Sequence, residues 1–138
     1  RIERIRLALG PRMNLGDVTN KTVPKMSLVS RAKQGGMINT RTFIPHRVHE
    51  AIGVLGAVSV ATACALPGSV AALVAEHPPA FGLQRIDVEH PSGFFTVEMD
   101  VAVNPDGSPK VRRSALLRTT RKLMTGEVFV KDSAWSAQ

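Results

Sequence analysis

Within nine residues the chain sets two guanidinium groups, two imidazoles and a hydroxyl: Arg41, Thr42, His46, Arg47 and His49. Guanidinium forks and protonated imidazoles hold carboxylate or phosphate oxygens. A threonine hydroxyl adds a neutral donor, and histidine carries a proton near neutral pH. Sixteen uncharged residues, 51–66, follow at once. Three readings of that juxtaposition offer themselves: a membrane anchor, a buried core helix, or an anion site at a helix mouth.

A membrane span needs about 20 apolar residues, and this run is shorter and carries Ser59 and Thr62. A helix that is apolar on all sides must be enclosed. Small residues recur along it: Ala51, Gly53, Gly56, Ala57, Ser59, Ala61 and Ala63. Glycine inside a helix costs about 1 kcal/mol relative to alanine, which is tolerable where a neighbouring element must come close. The spacing therefore predicts a central helix over 48–66, closed by Pro67-Gly68 and carrying a curved sheet around it.

Cations at a helix N-terminus oppose its unpaired N–H groups and its partial positive charge. Of the residues introducing this helix, Glu50 alone favours that end. A bound carboxylate or phosphate would satisfy the N–H groups and the cations together. The alternative is that the side chains simply face water. Both readings stand on the residues alone. As metal ligands, His46 and His49 lack a third partner nearby.

Around this segment the pattern predicts an alternating set of short elements. Residues 1–9 read as a helix with Ile2, Ile5 and Leu9 on one face, broken by Gly10-Pro11. Residues 23–30 and 37–44 read as a hairpin, ended by Pro45. A second helical piece covers 69–76, and "HPPAFG" breaks it. Strands follow at 83–90, 94–103 and 110–120, with a last short one within 121–131. In 94–103, Phe95, Val97, Met99, Val101 and Val103 alternate with Thr96, Glu98 and Asp100. Residues 132–138 read as a frayed tail. The whole is one α+β domain, a curved antiparallel sheet around one buried central helix.

Composition supports a real core. Hydrophobic residues make up 43% of 138 residues, while aromatics are only 4%. Aliphatic side chains must therefore form the interior. The net charge of +7 admits nucleic acid, an anionic surface or a small anion as partner. A nucleic-acid module would need a contiguous basic face interleaved with aromatics, and here the cations are scattered and aromatics scarce. Cys64 is the sole cysteine, so no intrachain disulfide is possible, which fits a reducing cytoplasm. The chain opens inside a helical pattern, as a fragment of something longer would.

Three stretches carry a family resemblance: "GDVTNKTVPKMSLVS", "RTFIPHRVHEAIGVLGAVSVATACALPGSV" and "LLRTTRKLMTGEVFV". In this order they resemble the C-terminal half of the PrpF family. That family includes methylaconitate isomerases and 4-oxalomesaconate tautomerases and belongs to the diaminopimelate-epimerase-like fold. The resemblance implies two similar halves, each a curved sheet around a helix, with the substrate in the cleft facing both helix N-termini. It implies small unsaturated di- or tricarboxylates as substrates, no cofactor, and migration of a proton and a double bond. Arg41, Thr42, His46, Arg47, His49 and Gly53 become the substrate-binding candidates. Ile52-Gly53 stands where the epimerases carry a Cys-Gly pair, so that thiol is absent. Cys64 lies about three helical turns deeper and reads as inert core.

The resemblance further implies that the main acid/base groups lie in a missing N-terminal half, the expected partner of this one. The cleft-facing surface of a lone half would be partly apolar and would seek company, a second copy included. Arg118 and Arg121 read as bracing the sheet, and Asn20 and Lys21 as a solvated turn. His77 and His90, beside prolines, read as solvent-facing. A non-catalytic fragment and a basic nucleic-acid-binding module are the rival readings.

Overall fold

The computed structural model describes residues 1–77, 81–131 and 134. The first helix, α1 (Ile2–Arg12), is followed by β1 (Met26–Ser30) and β2 (Ile38–Phe43). Two helices come next, α2 (Val54–Cys64) and α3 (Val70–Val74), and then β3 (Gly82–His90), β4 (Gly93–Val103) and β5 (Pro109–Leu116). The strands form one sheet in the order β1-β2-β3-β4-β5. β1/β2, β3/β4 and β4/β5 pair antiparallel. The β2/β3 pair is parallel, through Ile38↔Val88 and Asn39↔Glu89. The expected all-antiparallel order fails at that seam for a topological reason. Strands joined through intervening helices cross over and return in the same direction.

α2 lies against the sheet and buries Ala57, Val60, Ala61 and Cys64. Opposite them stand Ile38, Ile86, Val88, Phe95, Val97, Met99 and Val101, which complete one continuous core with Ile52 and Ala71. The small residues Ala57 and Ala61 of α2 face the core, whereas its glycines do not face a strand: a Cβ at Gly53 would meet nothing within 4 Å, and one at Gly56 only the Ile52 side chain. β4 alternates as expected, except that Val103 at its end is half-exposed. The other side of α2 is not covered by any of the described residues: Leu55 is 82% exposed and Val54 47%.

Several boundaries differ from expectation. α2 begins at Val54 rather than residue 48, because residues 44–53 form a turn and a loop. α1 runs through Gly10-Pro11 to Arg12. Proline near a C-terminus forfeits one hydrogen bond and does not stop the turn already formed. β1 begins at Met26, three residues late. β5 ends at Leu116, and residues 117–131 form no strand and are exposed, with Phe129 at 91%. A strand needs a neighbour to take its N–H and C=O groups, and among the described residues no strand pairs there. The expected tail at 132–138 lies outside the described residues apart from residue 134, as does part of the 77–82 break.

Two buried charges organise the loops. α1 buries Arg6 and Gly10 rather than the Ile5 face. Arg6 Nη1 donates to the carbonyls of Val18 (2.9 Å), Lys21 (3.1 Å) and Val23 (2.7 Å). Its Nε and Nη2 pair with Glu3 at 2.8 and 2.7 Å. The hydrogen bond from Arg6 holds the Glu3 carboxyl below its usual pKa. Across the sheet, Glu89 receives backbone N–H groups from Lys33 (2.8 Å), Gln34 (2.7 Å) and Gly36 (3.0 Å). That cradle requires glycine at 36, where a Cβ would come within 2.7 Å of Glu89 Cγ and 2.8 Å of the Asp87 carbonyl.

Candidate active site

The segment that introduces α2 is built by a reversal of β2. Pro45 has no N–H to continue a ladder, and the chain turns back on itself there. Phe43 bridges Val48, the Ile44 N–H donates to the Arg47 carbonyl (2.8 Å), and the His49 N–H donates to the Thr42 carbonyl (2.7 Å). This reversal places Arg47, Val48 and His49 beside the end of β2. Together with Ile44 and Glu50 they line an opening of about 350 Å³.

The six candidate residues divide. Arg47 and His49 share that opening, with Glu50 beside them. The Ala51 N–H donates to His49 Nδ1 at 3.0 Å, which assigns the proton of the neutral ring to Nε2. Arg41 is tied to its own strand: Nη1 donates to Asn39 Oδ1 (3.0 Å) and to the Thr40 carbonyl (2.7 Å). The Thr42 side chain is buried, its hydroxyl 2.8 Å from that of Ser27. His46 is exposed and leans towards α1, with Nδ1 3.9 Å from Glu3 Oε2. Gly53 is the N-cap of α2, with no side-chain cap bond and no acidic residue in the first turn. Because the helix starts at Val54, the cations stand in the preceding loop and not in its first turn.

Chemically, the opening holds one fixed cation, one imidazole and one carboxylate. A guanidinium anchors a carboxylate, while imidazole and carboxylate can pass a proton. A second, larger groove of about 580 Å³ runs between α2, α3 and β1. Leu55, Val60, Val70 and Ala71 line it, and Lys25 is the one charged residue among its lining. That surface suits apolar packing better than a polar ligand.

His90 departs from the expectation of a solvent-facing loop residue. It closes β3 and is only 8% exposed. Burial lowers its pKa, the Phe94 carbonyl works in the opposite sense, and the charge of His49 lowers it further. Next to it, the Ser92 hydroxyl donates to the Glu50 carbonyl at 2.8 Å. Sequence reasoning missed this pair because its partners lie far along the chain. "HPSG" as a turn between two strands was the one local signal. His77 is exposed, as expected.

The other singled-out residues are structural. Burial pushes the Cys64 thiol up to about 11, so it is protonated and unreactive at neutral pH. Arg118 lies 5.6 Å from the centroid of the Phe95 ring, a brace over the sheet. Lys21 Nζ donates to the Leu15 carbonyl (2.8 Å) within its own loop. Among the described residues, no three His, Cys, Asp or Glu side chains form a metal-binding group, and no helix is long and apolar enough to cross a membrane.

The described residues form one α+β layer, with a polar opening where β2 turns towards the N-terminus of α2. The chain belongs to the PrpF family: the family model, described as PrpF protein, matches residues 1–131. It is 55% identical over 130 residues to the (4E)-oxalomesaconate Delta-isomerase of Novosphingobium sp. (strain KA1), covering 94% of this chain and 35% of that protein. It is 51% identical over 135 residues to the 4-oxalomesaconate tautomerase of Pseudomonas putida (strain KT2440), covering 98% of this chain and 36% of that one. The crystal structure of a methylitaconate-delta-isomerase superposes with a TM-score of 0.61 at 12% identity, covering 85% of this chain and 35% of that one. At that identity the likeness concerns the fold. The chain thus spans about a third of the length of the relatives it matches.

Proposed function

We propose that this chain is the C-terminal, substrate-binding part of an isomerase that moves a proton and a double bond within a small unsaturated di- or tricarboxylic acid of the 4-oxalomesaconate or methylaconitate type. The observation that carries this reading is the identity of 55% and 51%, across nearly the whole chain, with enzymes named for that chemistry. The reaction breaks a C–H bond next to an activated double bond, shifts the double bond, and forms a C–H bond at its far end. The charge that develops spreads onto carboxylate or carbonyl oxygens, and fixed cations and N–H dipoles stabilise it. Arg47 and His49 hold a substrate carboxylate at the 44–50 opening, with Gly53 at the helix N-terminus beyond it. The principal acid and base come from the rest of the enzyme, without a cofactor.

The bare apolar side of α2 and α3 supports a two-part architecture. Leu55, Val70 and Leu73 are each more than two-thirds exposed in this chain, as befits a face covered by the other part or by a second copy. A lone buried thiol agrees with a cytoplasmic setting. The test is to titrate trans-aconitate, an unsaturated tricarboxylate, into the isotopically labelled chain. Amide shifts confined to residues 44–56 support the reading. Shifts confined to other surfaces, or none, contradict it.

A further inference from the structure

Residues 49–53 carry His49 and Glu50 and lead directly into α2, yet they belong to no helix or strand. What holds them comes from the far side of the fold. The β3–β4 turn is stiff, because it closes a nine-pair antiparallel ladder that ends at His90↔Gly93. From this turn the Ser92 hydroxyl reaches the Glu50 carbonyl at 2.8 Å, across 42 residues of sequence. His90 Nδ1 lies 3.3 Å from the Ser92 N–H and 3.3 Å from its hydroxyl oxygen. A ring buried in this way fixes the turn, and the serine then spends its one hydroxyl proton on the loop.

We infer that His90 and Ser92 are positioning residues: the β3–β4 turn latches the 49–53 loop so that His49, Arg47 and the N-terminus of α2 keep one geometry towards a bound carboxylate. The inference rests on the reading of the 44–50 opening as a carboxylate site. Neither residue lines that opening; both act through Glu50. The latch explains why His49 can use Nδ1 for the Ala51 N–H (3.0 Å) and leave Nε2–H as donor. A loop free to move would lose that bond and the register of the residues after it.

The experiment uses the 138-residue chain and trans-aconitate as probe, with affinities measured by calorimetry. Ser92→Ala weakens binding by about tenfold, the worth of one well-placed hydrogen bond. Ser92→Thr, which keeps the hydroxyl, stays within about twofold of the parent. His90→Ala behaves as Ser92→Ala, and His90→Asn, which keeps an acceptor where Nδ1 stood, restores binding. Equal affinity for Ser92→Ala and the parent overturns the inference, as does equal loss in Ser92→Ala and Ser92→Thr. If the parent chain binds no trans-aconitate, the carboxylate-site reading fails instead. The latch is then judged by amide exchange at Ala51 and Ile52. Exchange about tenfold faster in Ser92→Ala upholds it, and unchanged exchange overturns it.

Discussion

Glu89→Gln lowers the unfolding free energy by about 3 kcal/mol, because a buried charge-assisted cradle loses its acceptor. Oε1 of Glu89 takes the N–H groups of Gln34 and Gly36, and Oε2 takes that of Lys33. An amide oxygen can keep the first two. The amide nitrogen would then face the Lys33 N–H, donor against donor, at a site with 1% exposure. Burial by itself raises the Glu89 pKa, but the three backbone donors and the Lys33 charge outweigh it, so the net shift is downward. The sign of the pH effect follows. A carboxylate with a depressed folded pKa stabilises the fold above its unfolded pKa, about 4.3. That contribution disappears as pH falls through the lower folded value. Urea unfolding between neutral and strongly acidic pH therefore shows a larger loss in the parent than in Glu89→Gln, which keeps only the share of other depressed carboxyls such as Glu3. Equal stabilities at neutral pH would contradict the cradle.

Arg47→Ala combined with His49→Asn weakens trans-aconitate binding by about a hundredfold. Each charge-assisted bond at a half-open site is worth about tenfold, and the two act on one carboxylate. Asn at 49 keeps an acceptor for the Ala51 N–H, so the loop is preserved and only the Nε2 donor is lost. His46→Ala serves as the contrast. Its ring is exposed and turned towards Glu3, so its removal leaves affinity within about twofold. Calorimetry on the double variant, on Arg47→Ala alone and on His46→Ala separates the residues that share the opening from the one that merely neighbours them in sequence. Equal losses for His46→Ala and Arg47→Ala would show that the anion reads net charge and not this geometry.

How much of the molecule was legible depends on the range of the forces involved. The alternation at Phe95, Val97, Met99 and Val101 identified β4, because its buried face and its period belong to the strand itself. The small-residue stripe of α2 was legible for the same reason: Ala57 and Ala61 must be small wherever a sheet comes close. The start of α2 was not legible. Residues 51–53 have the same apolar character as the helix, and the pairing Phe43↔Val48 that extends the reversal is set by β2. Arg6 and Glu89 escaped as well. Charges read as surface until their partners are known, and the carbonyls that hold Arg6 and the N–H groups that hold Glu89 lie 12–17 and 53–56 residues away. In the site, the closeness of Arg47 to His49 was local and visible. The separation of Arg41, Thr42 and His46 from them was not, since it depends on Asn39, Ser27 and Glu3 taking those side chains elsewhere.

Residues 117–131 illustrate a different limit. Leu123, Val128 and Phe129 have the composition of a strand and are exposed here. A strand is a property of a pair, and among the described residues no strand pairs with this segment. The same reasoning covers the bare side of α2. Hydrophobic pattern gives the demand for burial, not the element that meets it.

The most direct test of the central claim is a chimera in which this segment replaces its counterpart in the 4-oxalomesaconate tautomerase of Pseudomonas putida, with turnover of 4-oxalomesaconate followed by NMR in heavy water. The account predicts tautomerisation with deuterium incorporated at the reacting carbon, at a rate within about tenfold of that enzyme. A folded chimera that neither exchanges nor isomerises the substrate would contradict it.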